Sequence, residues 1–213
     1  MYCHQCQQNC QPNKKTNKKS WWQKFTFKRR NRRIEAVEGN IALVGTPNVG
    51  KSVLFHRLTG VYVDVSNYPG TTVEVSRGIT KIKAHQIGVI DTPGMYSLVP
   101  ISEEEKVARD LLLQESFDAV IHVIDAKNLG RMLPLTFQLM EAGLPVILAI
   151  NMMDEADNLG LKVQSEALKT ELELPVILMS AALNRGVREL KQTILDYLSS
   201  RSESALASLE VAQ

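Results

Sequence analysis

Lys51 and Ser52 are where residue type and spacing point most directly to chemistry. They close the stretch Gly45-Thr46-Pro47-Asn48-Val49-Gly50-Lys51-Ser52, in which the second of two glycines precedes a lysine and a hydroxyl. A phosphate chain carries several negative charges. Successive backbone N–H groups in a tight loop can wrap it only where side chains stay clear, and glycine at 45 and 50 allows that approach. Lys51 would reach the β- and γ-phosphates, and the Ser52 hydroxyl would ligate Mg²⁺. Four apolar residues, Ile41 to Val44, precede the loop, and a run that reads as helix, Val53 to Leu58, follows it. The helix would add its positive N-terminal end. The plain alternative is a chance match in a turn, and the strand before and helix after argue against it.

Three further segments choose the base. Asp91-Thr92-Pro93-Gly94 follows the apolar run Ile87 to Ile90. An acid there can hold the Mg²⁺ shell through water, and Gly94 can offer its N–H to a γ-phosphate. Asn151-Met152-Met153-Asp154 follows residues 145–150. Asp154 can accept from guanine N1–H and from the exocyclic amine, a donor pair that adenine lacks. Ser180-Ala181-Ala182 comes after the last strand, where a backbone N–H can meet guanine O6. Each segment is weak alone, since the first also reads as a turn and the last as a structural loop. In this order, each at the C-terminal end of a strand, they specify a guanine nucleotide.

The elements that must position these residues follow from hydrophobic periodicity. Strands are predicted at 40–44, 72–83, 86–90, 118–124, 145–150 and 175–179, and helices at 51–59, 103–114, 131–141, 164–172 and 187–198. Residues 120–124 and 146–150 are continuous apolar runs apart from His122, as in strands covered on both faces. Strand–helix alternation argues an α/β fold with a mostly parallel six-stranded sheet and helices on both faces. Only 72–83 and 86–90 are close enough for a hairpin, so one strand is antiparallel.

Composition is that of a globular protein, 44% hydrophobic and 23% charged. No run of eighteen apolar residues reads as a membrane span, and the first residues do not read as a secretory signal. Of the 25 Lys and Arg, ten lie in residues 1–34, which hold no acid; the remainder has 15 against 23 acids, a net of −8. The chain divides into a basic mobile arm (1–37), a nucleotide-binding domain (38–200) and a Ser/Ala/Glu-rich tail (201–213). Cys3, Cys6 and Cys10, all in the arm, have a spacing that could hold a metal, with His4 beside them; a redox-idle tip is the alternative. The domain has no cysteine, which fits a reducing cytoplasm. Lysines and arginines at 14–33 interleave with Trp21, Trp22, Phe25 and Phe27. That composition suits an anionic membrane surface, is compatible with RNA, and also suits a solvated tail; the membrane surface is preferred to nucleic acid. Self-association is compatible with the sequence. Bland readings cover the rest: His122 as a satisfied core histidine, His56 and His85 as surface or packing residues, Met152 and Met153 as packing around the base, and Glu103 to Glu105 as charges at a helix N-terminus.

Four stretches carry a family resemblance: "SNYPGTTVE" (66–74), "DTPGMYSL" (91–98), "VIHVIDAKNLGRMLPLTFQLMEAGLPVILAINMMDEAD" (120–157) and "GLKVQSEALKTELELPVILMSA" (160–181). With the phosphate loop they resemble a small, Ras-like P-loop GTPase, and within that superfamily the G domain of FeoB, the bacterial ferrous iron transport protein B. The resemblance covers about residues 39–198. It implies a GTPase, cleaving GTP to GDP and phosphate, that regulates ferrous iron uptake from the cytoplasmic face of the inner membrane. Its partner would be a membrane-embedded iron transport domain or a separate transporter chain. Thr72 would be the switch I threonine that closes on Mg²⁺ and the γ-phosphate, with Gly70 and Thr71 beside it. Asn48 matches an asparagine that some relatives use to bind K⁺. Asn48, Lys51, Thr72 and Gly94 would then act at the γ-phosphate. Thr46, Val49, Val53, Thr92, Pro93, Asn151 and Met152 would complete the nucleotide contacts. Thr46 replaces a usual asparagine at a variable position, and Ser52 replaces threonine conservatively. Met95 stands where many Ras-like GTPases have the glutamine that orients water, so hydrolysis should be slow or the water held by backbone groups. Family members continue into a helical domain and a multi-span membrane domain, so the chain is either a fragment or a free-standing G protein. Competing readings are an RNA- or ribosome-associated GTPase using the basic arm, and a nucleotide-binding subunit that has lost catalysis.

Overall fold

The computed structural model describes residues 37–60 and 63–211, with 201–211 described by backbone alone. Strands and helices alternate as β1 (Gly39–Val44), α1 (Lys51–Thr59), β2 (Val63–Asn67), β3 (Glu74–Ile82), β4 (His85–Asp91), α2 (Glu103–Gln114), β5 (Ala119–Asp125), α3 (Leu129–Glu141), β6 (Val146–Asn151), α4 (Met153–Asn158), α5 (Ser165–Leu172), β7 (Val176–Leu178) and α6 (Val187–Val211). The sheet order is β2-β3-β4-β1-β5-β6-β7. β1 pairs in parallel with β4 and β5, β5 with β6, and β6 with β7. β3 is antiparallel to both β2 and β4, so it alone runs against the rest.

The expected α/β fold with one antiparallel strand is present, but the sheet has seven strands rather than six. β2 is the addition. It is an edge strand, exposed at four of its five positions, so it has no apolar face to announce it.

Alternation along β1 explains the two-sided core. Ile41 and Leu43 pack with Leu54 and Phe55 of α1 and Leu190 and Ile194 of α6. Ala42 and Val44 pack with Ala108 and Leu112 of α2 and Leu135 and Leu139 of α3. Every residue of β5 and β6 is buried, which is why both read as unbroken apolar runs. A third cluster joins Ile124, Leu148 and Ile150 to Ala156 of α4 and Leu172 of α5.

α1 and α2 span the residues the sequence predicts, but their starts differ. α2 opens on a capping box between Ser102 and Glu105, with three acids in its first turn. α1 begins after Gly50 with no side-chain cap and no acid. Its first N–H groups therefore lack the side-chain partners that α2 has. α3 starts two residues before the predicted 131, after a 3-10 turn in which the Asp125 carboxylate accepts from Lys127 N–H at 2.9 Å. α4 is a single short helix the sequence reading lacks. α6 runs past residue 198 through the segment set apart as a tail. The arm to residue 36, with Cys3, Cys6, Cys10 and its aromatic residues, lies outside the described residues. Because β1, β4, β6 and β7 all point the same way, their C-terminal ends share one sheet edge, and the loops carrying the four motifs meet there.

Candidate nucleotide-binding site

The loop after β1 is shaped by contacts that admit no side chain. A Cβ on Gly45 would lie 2.3 Å from the Val123 carbonyl oxygen of β5. Gly50 has φ +87°, and a Cβ there would lie 2.4 Å from Asn151 Nδ2. Asn48, exposed at the crest, has φ 66°, a left-handed conformation that asparagine tolerates. The loop leads into the uncapped start of α1, so backbone N–H groups converge where an anion would be held.

Lys51 is buried, at 8% exposure, and Ser52 Oγ donates to Asp91 Oδ2 at 2.8 Å. Asp91 Oδ1 is buried with no hydrogen-bond partner among the described residues. Burial pulls the Lys51 ammonium below its usual range, against the attraction of Asp91. Burial likewise pushes Asp91 up, opposed by the Ser52 hydrogen bond and by Lys51 and His56. Two charged groups short of water and an orphaned carboxylate oxygen beside a hydroxyl make a donor set suited to a hard divalent cation and a phosphate.

The segment after β4 is fastened to this loop. Thr92 is buried and spends both its hydroxyl (2.8 Å) and its N–H (3.2 Å) on the Leu43 carbonyl, so it staples β4 to β1 rather than facing a ligand. Gly94 lies against Pro47; a Cβ there would be 2.7 Å from Pro47 Cγ. Met95 N–H donates to the Gly45 carbonyl at 3.1 Å, while its side chain is fully buried with Ala42, Val44, Ala108 and Leu112. The thioether thus belongs to the core. Beyond it, the Glu105 carboxylate accepts from Tyr96 N–H (3.1 Å), Ile101 N–H (2.8 Å) and Ser102 N–H (3.4 Å). The Ile101 and Tyr96 amides hold this carboxyl below its usual range. Glu105 therefore does more than charge a helix end; it fixes the segment from 96 to 102.

Thr72 is not brought to this cluster. Residues 68–73 form the tip of the β2–β3 hairpin, closed by Tyr68 N–H donating to the Val73 carbonyl at 2.8 Å. Gly70 has φ +79° there, and the Thr71 hydroxyl donates to the Tyr68 carbonyl at 3.0 Å. Thr72 is exposed, and no hydrogen bond joins it to Ser52 or Asp91 among the described residues.

At the other end of the site, Asn151 ties two loops together. Its Nδ2 donates to the Val49 carbonyl at 2.8 Å and its Oδ1 accepts from Ala181 N–H at 2.9 Å. Both polar ends are spent on main chain, so Asn151 positions the site. Met152, at φ 62°, turns the chain into α4, and Asp154 falls in that helix's first turn. A hydrogen bond from Ser180 holds the Asp154 carboxyl below its usual range, with Arg185 adding to the effect. Met153 is buried in the core. Arg57 of α1 donates to the Ala181 carbonyl at 3.1 Å and the Ala182 carbonyl at 2.8 Å. The Ala181 N–H is taken by Asn151 and the Ser180 N–H by the Arg185 carbonyl, and among the described residues no hydrogen bond takes the Ala182 N–H. Arg57 had no sequence signal, whereas Glu105 was legible in the Ser-x-x-Glu pattern.

The family model for ferrous iron transport protein B matches residues 39–194. The chain belongs to that family. The Fe(2+) transporter FeoB of Shigella flexneri is 41% identical over 161 residues, which cover 74% of this chain and 21% of the relative. That of Legionella pneumophila (strain Lens) is 41% identical over 174 residues, 80% of this chain and 23% of the relative. The chain thus spans about a fifth of the length of these curated FeoB relatives. The cytosolic domain of the T. maritima FeoB iron transporter in its apo form superposes with a TM-score of 0.73 at 42% identity, over 75% of this chain and 64% of that one. The FeoB G-domain of Methanococcus jannaschii gives 0.67 at 38%, over 76% and 97%. The fold is that of a FeoB G domain. The RNA- or ribosome-associated alternative is not supported by these relatives. Among the described residues no helix is long and apolar enough to cross a membrane, and no three His, Cys, Asp or Glu side chains cluster as a metal site.

Proposed function

We propose that this chain is a GTP-binding and GTP-hydrolysing switch domain that serves ferrous iron uptake at the cytoplasmic face of the inner membrane, coupled to a membrane-embedded iron transport domain. The observation that carries it is the convergence, on one sheet edge, of an uncapped helix start, the Lys51–Ser52–Asp91 cluster and the Asp154–Ser180 pair. Support comes also from T. maritima FeoB cytosolic domains solved in GDP and GMPPNP forms. Backbone N–H groups from Asn48 to Ser52 bind the phosphates, and Lys51, already desolvated, contacts their oxygens without a large further loss of water. Ser52 Oγ and Asp91 would hold Mg²⁺, which when bound supplies charge neutralisation between the phosphates. Asp154, kept ionised by Ser180, accepts the two guanine donors, and Ala182 N–H meets O6.

Hydrolysis is slow. Met95 offers nothing to align water, so the task falls to backbone groups of the switches, with Thr72 closing from the hairpin tip. Asn48, exposed and without a hydrogen-bond partner among the described residues, would hold K⁺ beside the phosphates. The test is single-turnover GTP hydrolysis in K⁺ and in Na⁺. Faster cleavage in K⁺ is expected, with the difference abolished in Asn48→Ala. Equal rates in the two salts would remove K⁺, and no cleavage in either would leave a binding subunit.

A further inference from the structure

Positive charge also gathers away from the nucleotide edge. The turn of the β3–β4 hairpin and the first turns of α6 bound an open cleft of about 720 Å³. Lys81 and Lys83 line it from the hairpin and Arg188 and Lys191 from α6, over buried Ile82; Glu189 is the single acid among the lining residues. Among the described residues none of the four cations is in a salt bridge. Lys191 Nζ reaches the Leu58 carbonyl at 3.4 Å, a carbonyl that also accepts the Thr80 hydroxyl at 2.7 Å. That contact fixes the place of the cleft. Leu58 is in the last turn of α1, about 10 Å along the helix from Lys51, so the cleft is separate from the phosphate loop.

The charge here runs opposite to that of the rest of the domain. Beyond residue 34 the chain has 15 cations against 23 acids, yet four cations face one acid here. Like charges brought together without counter-ions repel, and a bound anion relieves that repulsion. The residue before α6, Gly186, and the helix's first turns line the same cleft, with Glu189 in the first turn as the acid there.

We propose that this cleft binds a compact ligand carrying two or more phosphate groups, in addition to the nucleotide at the phosphate loop. The three lysines act as point charges, and the Arg188 fork can engage one phosphate with two N–H groups. A soluble polyphosphate and a phosphorylated lipid headgroup present the same chemistry.

The test uses the full chain saturated with GDP, so that the phosphate loop is filled. Calorimetric titration with pyrophosphate should reveal one further site. Its affinity should fall about tenfold or more in Lys83→Ala/Arg188→Ala, and also as salt is raised. Lys83→Glu alone should weaken it by a similar margin. GDP affinity, measured alongside, should equal wild type in both variants, so failure of the nucleotide reading would register separately. Sedimentation with phosphatidylglycerol against phosphatidylcholine vesicles distinguishes the source. Pelleting that needs phosphatidylglycerol and drops in both variants assigns the phosphates to a lipid headgroup. Absence of pyrophosphate and vesicle binding, or binding of both that neither variant alters, overturns the proposal.

Discussion

Met95 follows Gly94 where many Ras-like GTPases carry glutamine, but its side chain is wholly within the core between β1 and α2. Met95→Gln should therefore not accelerate hydrolysis. It should instead bury an amide without partners and lower stability by about 1–3 kcal/mol. Single-turnover kinetics with urea unfolding would check both, and a faster variant would contradict the placement. His122 is a second buried polar residue. Its Nδ1 is 2.9 Å from Thr136 Oγ1, but Nε2 has no partner among the described residues, so it is half satisfied rather than satisfied as the sequence reading had it. Burial pulls its pKa from 6.5 to about 3. The unfolded chain takes up a proton below pH 6.5 while the folded chain does not, so its contribution to stability is complete above pH 6.5 and is lost as pH falls toward 3. The expected slope is about 1.4 kcal/mol per pH unit in that window. It should be absent from His122→Leu, and so appear in the difference between wild type and variant in urea unfolding; the same slope in both would contradict it. The meeting of Lys51, Ser52 and Asp91 was legible because a phosphate-binding loop demands fixed spacings. The His122 environment was not, because Thr136 lies fourteen residues away on another element.

Between elements, the segment from Gly94 to α2 hangs on few contacts. Met95 N–H is pinned to Gly45, Leu98 N–H donates to Gln138 Oε1 at 2.8 Å, and three amides end on Glu105. Glu105→Ala should cost about 1–3 kcal/mol in denaturant unfolding, through the lost cap and unpaired amides. It should also speed amide exchange at Tyr96 and Ile101, and unaltered protection there would refute the clamp. Long periodic elements were read well: α1 and α2 have their predicted bounds, and β4 to β7 differ by a residue or so. β2 escaped because an exposed edge strand has no apolar alternation, and α4 because six residues cannot show a 3.6-residue repeat. The hairpin tip that carries Thr72 was legible as a motif but not in its position, since its main-chain bonds run within residues 68–73 and the Tyr68 hydroxyl reaches Gln114 of α2 at 3.5 Å, away from the phosphate loop.

For the molecule as a whole, the nucleotide site exists only because four strand ends meet at one edge. Asn151 couples the phosphate loop to the Ser180–Ala182 loop, and Arg57 couples α1 to that same loop. The phosphate and base halves are thereby held as a unit, a property no single motif conveys, although motif order along the chain foretold their meeting. Everything proposed for the chain, its coupling to a membrane domain included, depends on guanine being chosen by Asp154. The decisive measurement is calorimetric binding of GTP, ATP and XTP to the wild type and to Asp154→Asn. GTP should be favoured over ATP by roughly a hundredfold or more in the wild type. The variant should prefer XTP, whose 2-oxygen accepts from the new amide. ATP bound as tightly as GTP, or a variant that still prefers GTP, would contradict the account.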